Sequence, residues 1–229
     1  GVDTLLRIAQ RNTSPANDFN EKGTALFENQ ANNFEKHTED DFLDFNSERN
    51  IPQMLSKEGP AAAVADINKD GLEDIYISGT LNQAGQLYLQ TAKGFVKQNG
   101  FKEPLPPLEI TATVFFDADA DGDADLFLGA GGNHQPSYGS QMQNRLYLND
   151  GKGNFSRSNN PLPKNMGNTS VLLPHDIDGD GDLDLFAGSR SMPSNYGVTP
   201  KSVCYINDGK GVFKLLPEAQ AGPLTEAGM

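Results

Sequence analysis

Three segments of the sequence share a nine-residue pattern, with Asp or Asn at positions one, three and five, Gly at position six and Asp at position nine. The copies begin at Asp66, Asp117 and Asp176. Alternating carboxylates that turn about a glycine suit a hard cation with six to eight oxygen ligands, and Ca²⁺ is the usual one. The pattern predicts up to three Ca²⁺ ions, each held by side chains one, three, five and nine and by the backbone carbonyl of position seven. The predicted ligands are Asp66, Asn68, Asp70, Leu72 and Asp74; Asp117, Asp119, Asp121, Asp123 and Asp125; and Asp176, Asp178, Asp180, Asp182 and Asp184.

Two other interpretations fit parts of this pattern. An EF-hand begins in the same way but closes with a bidentate Glu at position twelve, where this chain has Ile77, Leu128 and Ala187. Asp-Gly segments also occur as simple turns, but three copies in one register disfavour that interpretation. Asn68 replaces one carboxylate, so we expect the first site to bind Ca²⁺ most weakly.

Short apolar runs flank each acidic segment and predict the elements that position it. One run precedes the segment and three follow it, and Asp-Gly turns in the second and third units are typical of hairpins. The copies start 51 and then 59 residues apart. Four-stranded units at such a period are the blades of a β-propeller. We therefore predict an all-β fold of about three four-stranded antiparallel blades, a partial propeller, with the Ca²⁺ loops between first and second strands. A β-sandwich is the alternative.

The repeat divides the chain into a lead-in, three blades and a tail. Residues 1–57 form an irregular segment, with a partial blade as the alternative. The blades are expected at residues 58–105, 106–165 and 166–218. Residues 219–229 resemble the approach to a further blade, so we expect the chain to be a segment of a larger protein.

Charge and composition exclude several classes of partner. The chain has 229 residues and a net charge of −13, and 14 of its 31 acidic residues lie in the three loops. Such a field repels nucleic acid and anionic lipid, and no apolar run is long enough to span a membrane. The six charges of three Ca²⁺ ions would reduce the net charge to −7. Cys204 is the single cysteine, which excludes an internal disulfide.

Two long loops after second strands are the candidate ligand surfaces, because loops on a rigid scaffold often bind ligands. Their candidate residues are His134, Tyr138, Arg190 and Tyr196, and aromatic, amide and Arg groups together suit a carbohydrate. The alternative is that these loops pack on neighbouring blades. No nucleophile elbow or Walker A loop is present, so we predict no catalytic residues and no enzyme activity.

The acidic segments and the apolar runs that flank them resemble the FG-GAP/VCBS repeat, the blade of integrin α-like β-propellers, over about residues 58–216. In finer detail the chain is similar to the ASPIC/UnbV and cartilage acidic protein-like group of Bacteroidetes surface proteins. The finer resemblance rests on Leu55–Pro60, Gly131–Asn133, Arg145–Phe155, the set Arg190, Pro193, Tyr196, Gly197, Pro200 and Ser202, and the tail Gly222–Met229.

The resemblance implies an exported or cell-surface, Ca²⁺-binding module for adhesion, scaffolding or ligand binding, glycans included. Part of a polysaccharide-degrading lyase or hydrolase with structural Ca²⁺ is the alternative. Three blades are fewer than the four to eight that close a propeller, and open sheet edges invite pairing. We therefore expect self-association, partial closure by residues 1–60, or contact with the remaining blades of the parent protein.

Overall fold

Twelve strands form three antiparallel sheets in the computed structural model, which describes residues 33–101, 103, 108–134, 139 and 142–225. Each sheet has four strands, and each follows sequence order from the first strand to the fourth. The first sheet contains β1 (Ala62–Ala65), β2 (Asp74–Ile77), β3 (Gln86–Thr91) and β4 (Gly94–Lys97). The second contains β5 (Ile110–Phe116), β6 (Asp125–Ala130), β7 (Arg145–Asn149) and β8 (Phe155–Arg157). The third contains β9 (Thr169–His175), β10 (Asp184–Ser189), β11 (Val203–Ile206) and β12 (Lys214–Leu215).

The three sheets confirm the predicted all-β class and the partial propeller of four-stranded antiparallel blades. In each blade the acidic segment joins the first strand to the second, and the ninth residue of the pattern begins the second strand. The last pairs before the loops are Ala65 with Asp74, Phe116 with Asp125 and His175 with Asp184. The fourth strands of the second and third blades begin at Phe155 and Lys214, several residues after the third strands end at Asn149 and Ile206, because the Asp-Gly turns between them are longer than two residues.

Apolar side chains fill the spaces between neighbouring sheets. The β1 strand contacts β5, and β5 contacts β9, so the first strands of the three blades lie side by side. One cluster between blades one and two contains Ile67, Tyr76 and Tyr147, and another between blades two and three contains Phe127 and Tyr205. Because the large aromatic groups recur at equivalent positions, the second interface repeats the first.

The described part of the lead-in covers the outer face of the first blade. The ring of Phe34 packs edge-on against Tyr88 at 4.7 Å and lies 5.2 Å from Phe95. The backbone N–H of Glu35 donates to the Tyr88 hydroxyl at 2.9 Å. A single 3-10 turn, Asp44–Asn46, follows. The predictions for residues 1–32, including a partial blade there, lie outside the described residues.

The chain after β12 folds into a short helix α1 (Glu218–Ala221) and a 3-10 turn, Gly222–Thr225. None of the helices in the described ranges is long and apolar enough to cross a bilayer.

The far face of the third blade is apolar and open. Its residues occupy the positions whose equivalents in blades one and two are covered by the next blade. Leu173, the equivalent of the partly buried Val114, is 58% exposed. This open face surrounds a hollow of about 270 Å³ lined by Leu173, His175, Ile177, Phe186, Cys204 and Leu224.

The open face gives a matched pair of substitutions at equivalent positions. Leu173→Glu places a charge in solvent and should change the free energy of unfolding by less than about 0.5 kcal/mol. Val114→Glu places the same charge against the third blade and should destabilise by about 3 kcal/mol or more. Urea unfolding of the two variants measures both effects, and equal losses would contradict an open third blade.

Candidate metal centres

Two hydrogen bonds recur in all three acidic loops and give them a common shape. The N–H of the glycine at position six donates to Oδ2 of position one, at 2.8, 2.9 and 3.2 Å in the first, second and third loops. The N–H of position seven donates to Oδ1 of position five, at 2.8, 2.9 and 2.9 Å. These bonds fold the loop back on itself, so that its carboxylates are held close together rather than spread along an extended strand.

The backbone at positions four and six adopts the left-handed region in every loop. The glycine at position six has φ of 85°, 85° and 100°, which a residue without Cβ adopts freely. Position four is equally left-handed but is occupied by Lys69, Ala120 and Gly179, with φ of 60°, 59° and 81°. A non-glycine residue in this region is uncommon and is found mainly where surrounding structure imposes it.

The carboxylates converge in the second and third loops. Ligand atoms of Asp117, Asp119 and Asp121 lie within 4.8 Å of one another, and so do those of Asp176, Asp178 and Asp184. Asp117 Oδ1 and Asp119 Oδ1 are buried and have no hydrogen-bond donor among the described residues. Oxygen donors at such spacing fit a hard divalent cation. In the first loop Asn68 occupies position three in place of an aspartate, and its amide donates to Asp70 at 3.1 Å.

The aspartate at position nine makes a second kind of contact. Asp74, Asp125 and Asp184 are fully buried. Their Oδ2 atoms accept hydrogen bonds from the N–H of position two at 3.2, 2.9 and 2.7 Å. Their Oδ1 atoms accept from the N–H at or near the end of the third strand at 2.7, 2.8 and 2.8 Å. Position nine therefore ties the loop to the sheet, whichever ion the loop holds.

Burial and neighbouring charge raise the pKa of several loop carboxyls. Burial raises the pKa of Asp125 to about 7, opposed by its two backbone hydrogen bonds and assisted by Asp119 and Asp121. Burial also raises the pKa of Asp74 and of Asp119, and Asp121 and Asp117 add to the rise at Asp119. A cation bound in the loop would favour the charged form of each carboxylate.

Position seven of the second and third loops touches the hairpin that follows in its own blade. A Cβ built on Gly151 would lie 2.5 Å from Asp123 Oδ2, and a Cβ on Gly209 would lie 2.3 Å from Asp182 Oδ2. Lys69, from the first loop, forms an ion pair with Asp123. The position-seven side chains thus hold the loops against the hairpins, while their backbone carbonyls, like that of Leu72, stay predicted ligands.

An asparagine at or just after the end of the third strand joins the second and third blades to the loop of the blade before. Asn149 Nδ2 donates to the carbonyl of Ile67 at 2.8 Å, and Asn207 Nδ2 donates to the carbonyl of Ala118 at 2.7 Å. Each amide also donates to a carbonyl of its own blade, Ala124 at 3.1 Å and Leu183 at 3.0 Å. The acidic loops therefore form part of the blade interfaces.

The predicted ligand-loop residues fall into two places. His134 is buried beside Asp40, with its Nε2 2.7 Å from Asp40 Oδ2. Arg190 pairs with Glu58 at 2.5 Å and, with Tyr196, lines a cleft of about 290 Å³. Tyr196 is 57% exposed. Tyr138 lies outside the described residues.

Sequence reasoning missed two groups of residues. The interface asparagines were visible as a recurring Asn before each Asp-Gly turn, and that period could have indicated their role. The second group is a set of acids, the buried Glu109 and Asp44 with the half-buried Glu58, which come from separate parts of the sequence. Glu39 and Asp40 belong to the same neighbourhood, because their charges act on Glu109.

The four-stranded blades with an acidic loop between first and second strands define a β-propeller repeat module. The family model of the FG-GAP-like repeat matches residues 66–128 and 117–187. These matches span more than half of the sequence, and the chain belongs to the FG-GAP-like repeat family. The finer assignment to the ASPIC/UnbV group stays a prediction.

Comparisons with individual proteins add little to this family assignment. A search of the curated proteins gave no match. One matching solved structure is a lectin of Agrocybe aegerita, described as recognising non-reducing terminal N-acetylglucosamine. The alignment has 19% identity and a TM-score of 0.43, and it covers 72% of this chain and 38% of the lectin chain. The chain therefore spans about two fifths of the length of that lectin.

The interface asparagines give a direct test of how the blades are joined. Asn149→Ala removes the donor to two backbone carbonyls, one of them in the preceding blade, and should destabilise by about 2 kcal/mol because buried acceptors lose their partner. Asn154→Ala, an exposed amide in the same hairpin that contacts Asp150, is the matched control and should cost under about 0.5 kcal/mol. Chemical denaturation measures both, and equal midpoints would show that the inter-blade bond adds nothing to stability.

Proposed function

We propose that this chain is a calcium-binding β-propeller module that acts outside the cytoplasm in adhesion, scaffolding or ligand binding, without catalysis of its own. The observation that carries the proposal is the recurrence of one loop shape three times, with carboxylates converging in two of the copies. The two bonds that shape each loop leave other carboxylate oxygens available to an ion. Membership of a repeat family, rather than an enzyme family, supports the non-catalytic part.

Ca²⁺ would stabilise more than the hairpin that binds it. The carbonyl at position two of the first and second loops accepts a hydrogen bond from the next blade, so a loop fixed by an ion presents that carbonyl in the geometry that the neighbour needs. Metal binding and blade packing are then coupled, because both require the same folded loop.

The proposed location of the protein follows from the calcium affinity expected of such sites. Extracellular calcium modules bind with Kd of about 10⁻⁴–10⁻³ M, and they are filled only where calcium is millimolar. The chain is therefore proposed to work in secreted or cell-surface form, or on the periplasmic side.

The proposed ligand surface is the cleft beside the loop that follows β10. Arg190, Asn195 and Tyr196 line it, with Glu48 and Leu55 on the opposite wall. An exposed tyrosine ring next to amide, guanidinium and carboxylate groups suits a carbohydrate, since sugars combine apolar faces with many hydroxyl donors and acceptors. The backbone N–H of Tyr196 donates to Glu48 at 2.8 Å, which fixes the loop that carries the ring.

The proposed protein partner is a further blade of the same family, docked on the open face of the third blade. The equivalent faces of blades one and two are both covered by such a blade. That partner would place an amide donor opposite the carbonyl of Ile177. In a polypeptide with one more blade, Leu173→Glu should become as destabilising as Val114→Glu; unchanged tolerance, or dimers of the present chain through this face, would contradict this choice of partner.

Calcium titration tests the metal assignment. Isothermal calorimetry of the chelator-treated chain should give two to three sites, with the weakest in the first loop because Asn68 replaces a carboxylate. At 10 mM Ca²⁺ and the Kd range above, each site should add about 1.4 to 2.7 kcal/mol to the free energy of unfolding. Asp121→Ala should reduce the stoichiometry by one.

The matched control for this titration is Glu73→Gln, which removes an exposed acid from position eight of the first loop and should leave stoichiometry and affinity almost unchanged. Loss of binding in both variants would indicate a general effect of negative charge. Unchanged binding in Asp121→Ala would remove the second loop from the sites.

Glycan binding is tested separately from calcium. On a glycan array the chain should retain one class of saccharide, and Tyr196→Ala should weaken retention at least about tenfold, as the loss of a stacking ring commonly costs 1–3 kcal/mol in other recognition sites. Tyr196→Phe keeps the ring and is the control. An array with no signal at 5–10 mM Ca²⁺ would leave scaffolding as the proposed role.

A further inference from the structure

A second group of ionisable side chains lies at the opposite end of β5 from the acidic loop. Glu109 immediately precedes β5, and the described lead-in brings His37, Glu39 and Asp40 towards it. His134 follows β6 on the same side. We call this group, completed by Asp44 and Glu58, the Glu109 cluster.

Glu109 itself is an unusual buried acid. The residue is 3% exposed, and neither of its carboxylate oxygens has a hydrogen-bond donor among the described residues. Only its backbone is paired, by the N–H of Gly131 at 3.0 Å. Buried polar atoms in native proteins almost always have a partner, because an unpaired buried group is costly. The two carboxylate oxygens of Glu109, both without a donor, therefore point to a ligand.

His134 provides a nitrogen acceptor at the same place. Its Nε2 lies 2.7 Å from Asp40 Oδ2, and its ring packs against Phe42 at a centroid distance of 4.5 Å. Both ring nitrogens are buried, and neither has a hydrogen-bond partner in the described part of the chain. A carboxylate beside one ring nitrogen, with the other nitrogen free, is the usual arrangement around metal-binding histidines.

Two glycines show how closely these groups approach. A Cβ built on Gly132 would lie 2.9 Å from Glu109 Cγ and 3.2 Å from His134 Nδ1. A Cβ built on Gly59 would lie 3.6 Å from Glu109 Oε1 and 3.6 Å from His37 Cε1. Gly132 therefore lies close to both Glu109 and His134, and Gly59 lies close to both Glu109 and His37.

The charge of the cluster is strongly negative. Arg190 pairs with Glu58, but none of the ion pairs in the described residues involves Glu109 or Asp44. Asp44 Oδ1 and Glu39 Oε2 are also buried without a donor in these ranges. Burial raises the pKa of Glu109 to about 8, and Glu39, Asp40, Glu58 and Asp44 add to the rise.

We propose that the Glu109 cluster binds a first-row divalent transition-metal ion, with Glu109 and His134 Nδ1 as its protein ligands and Asp40 beside the other ring nitrogen of His134. The mixture of carboxylate and imidazole donors favours Zn²⁺ or Mn²⁺ over Ca²⁺, because imidazole suits transition metals and calcium takes oxygen. The site differs from the acidic loops in ligand type and in its place on the blade.

The test uses the full chain, stripped by chelator and held in 10 mM Ca²⁺ so that the acidic loops are occupied. Co²⁺ serves as the optical probe and Zn²⁺ as its competitor. One equivalent of Co²⁺ should produce a visible absorption band that Zn²⁺ removes. Glu109→Gln and His134→Ala should each weaken Co²⁺ binding at least about tenfold, since even the partners of metal ligands commonly contribute that much.

Controls separate this site from other buried acids and from the loops. Glu103→Gln alters a buried carboxylate that already has a partner, the Tyr76 hydroxyl, and should leave Co²⁺ binding unchanged, as should Asp121→Ala. Circular dichroism checks that each variant is folded, and Glu109→Gln keeps the shape of the side chain.

Absence of the Co²⁺ band would overturn the proposal and favour a simply protonated Glu109. Unchanged Co²⁺ affinity in Glu109→Gln and His134→Ala would do the same. Calcium calorimetry on the same samples reports on the loops independently.

Discussion

In every blade, the carboxylate that begins the second strand is buried and accepts hydrogen bonds from two separate parts of the chain. One donor is the N–H at position two of the acidic loop, and the other lies at or near the end of the third strand. This pair of bonds fixes the loop relative to the sheet. The exposed carboxylates of the loop, and the carbonyl that the next blade contacts, both depend on that position. Without it, the loop would be a flexible acidic turn repelled by its own charge.

The chain separates its negative charge into two environments. In the acidic loops the carboxylates before position nine are at least partly exposed, and those at positions one, five and nine accept backbone N–H donors, which stabilises their charge. Around Glu109 the acids are more deeply buried and several oxygens lack a donor among the described residues. The first environment is the one proposed to bind Ca²⁺, and the second is the one proposed to bind a transition-metal ion.

Periodicity made much of the fold predictable from sequence. The acidic pattern recurs, so the position of its loops, the count of blades and the flanking strands β1, β5 and β9 could all be derived from one aligned repeat. The fourth strands were less predictable. Each of β8 and β12 follows a turn, and residue propensities do not determine how long that turn is. The recurrence of Asn149 and Asn207 is visible in the sequence, but the partner Ile67 could not be derived, since it requires knowing how two blades are rotated against each other. The Glu109 cluster has no period, and its members meet only through the fold.

The bond between each interface asparagine and the loop before it has a direction. The first and second blades each offer a carbonyl acceptor on one face, and the second and third each offer an amide donor on the other, so these blades join head to tail. The leading face of the first blade is occupied by Phe34, whereas the trailing face of the third presents Leu173 to solvent, with the half-buried Ile177 beside it. The arc therefore has polarity, with one end capped and the other able to accept a unit, and each added unit would arrive in the same orientation as the last.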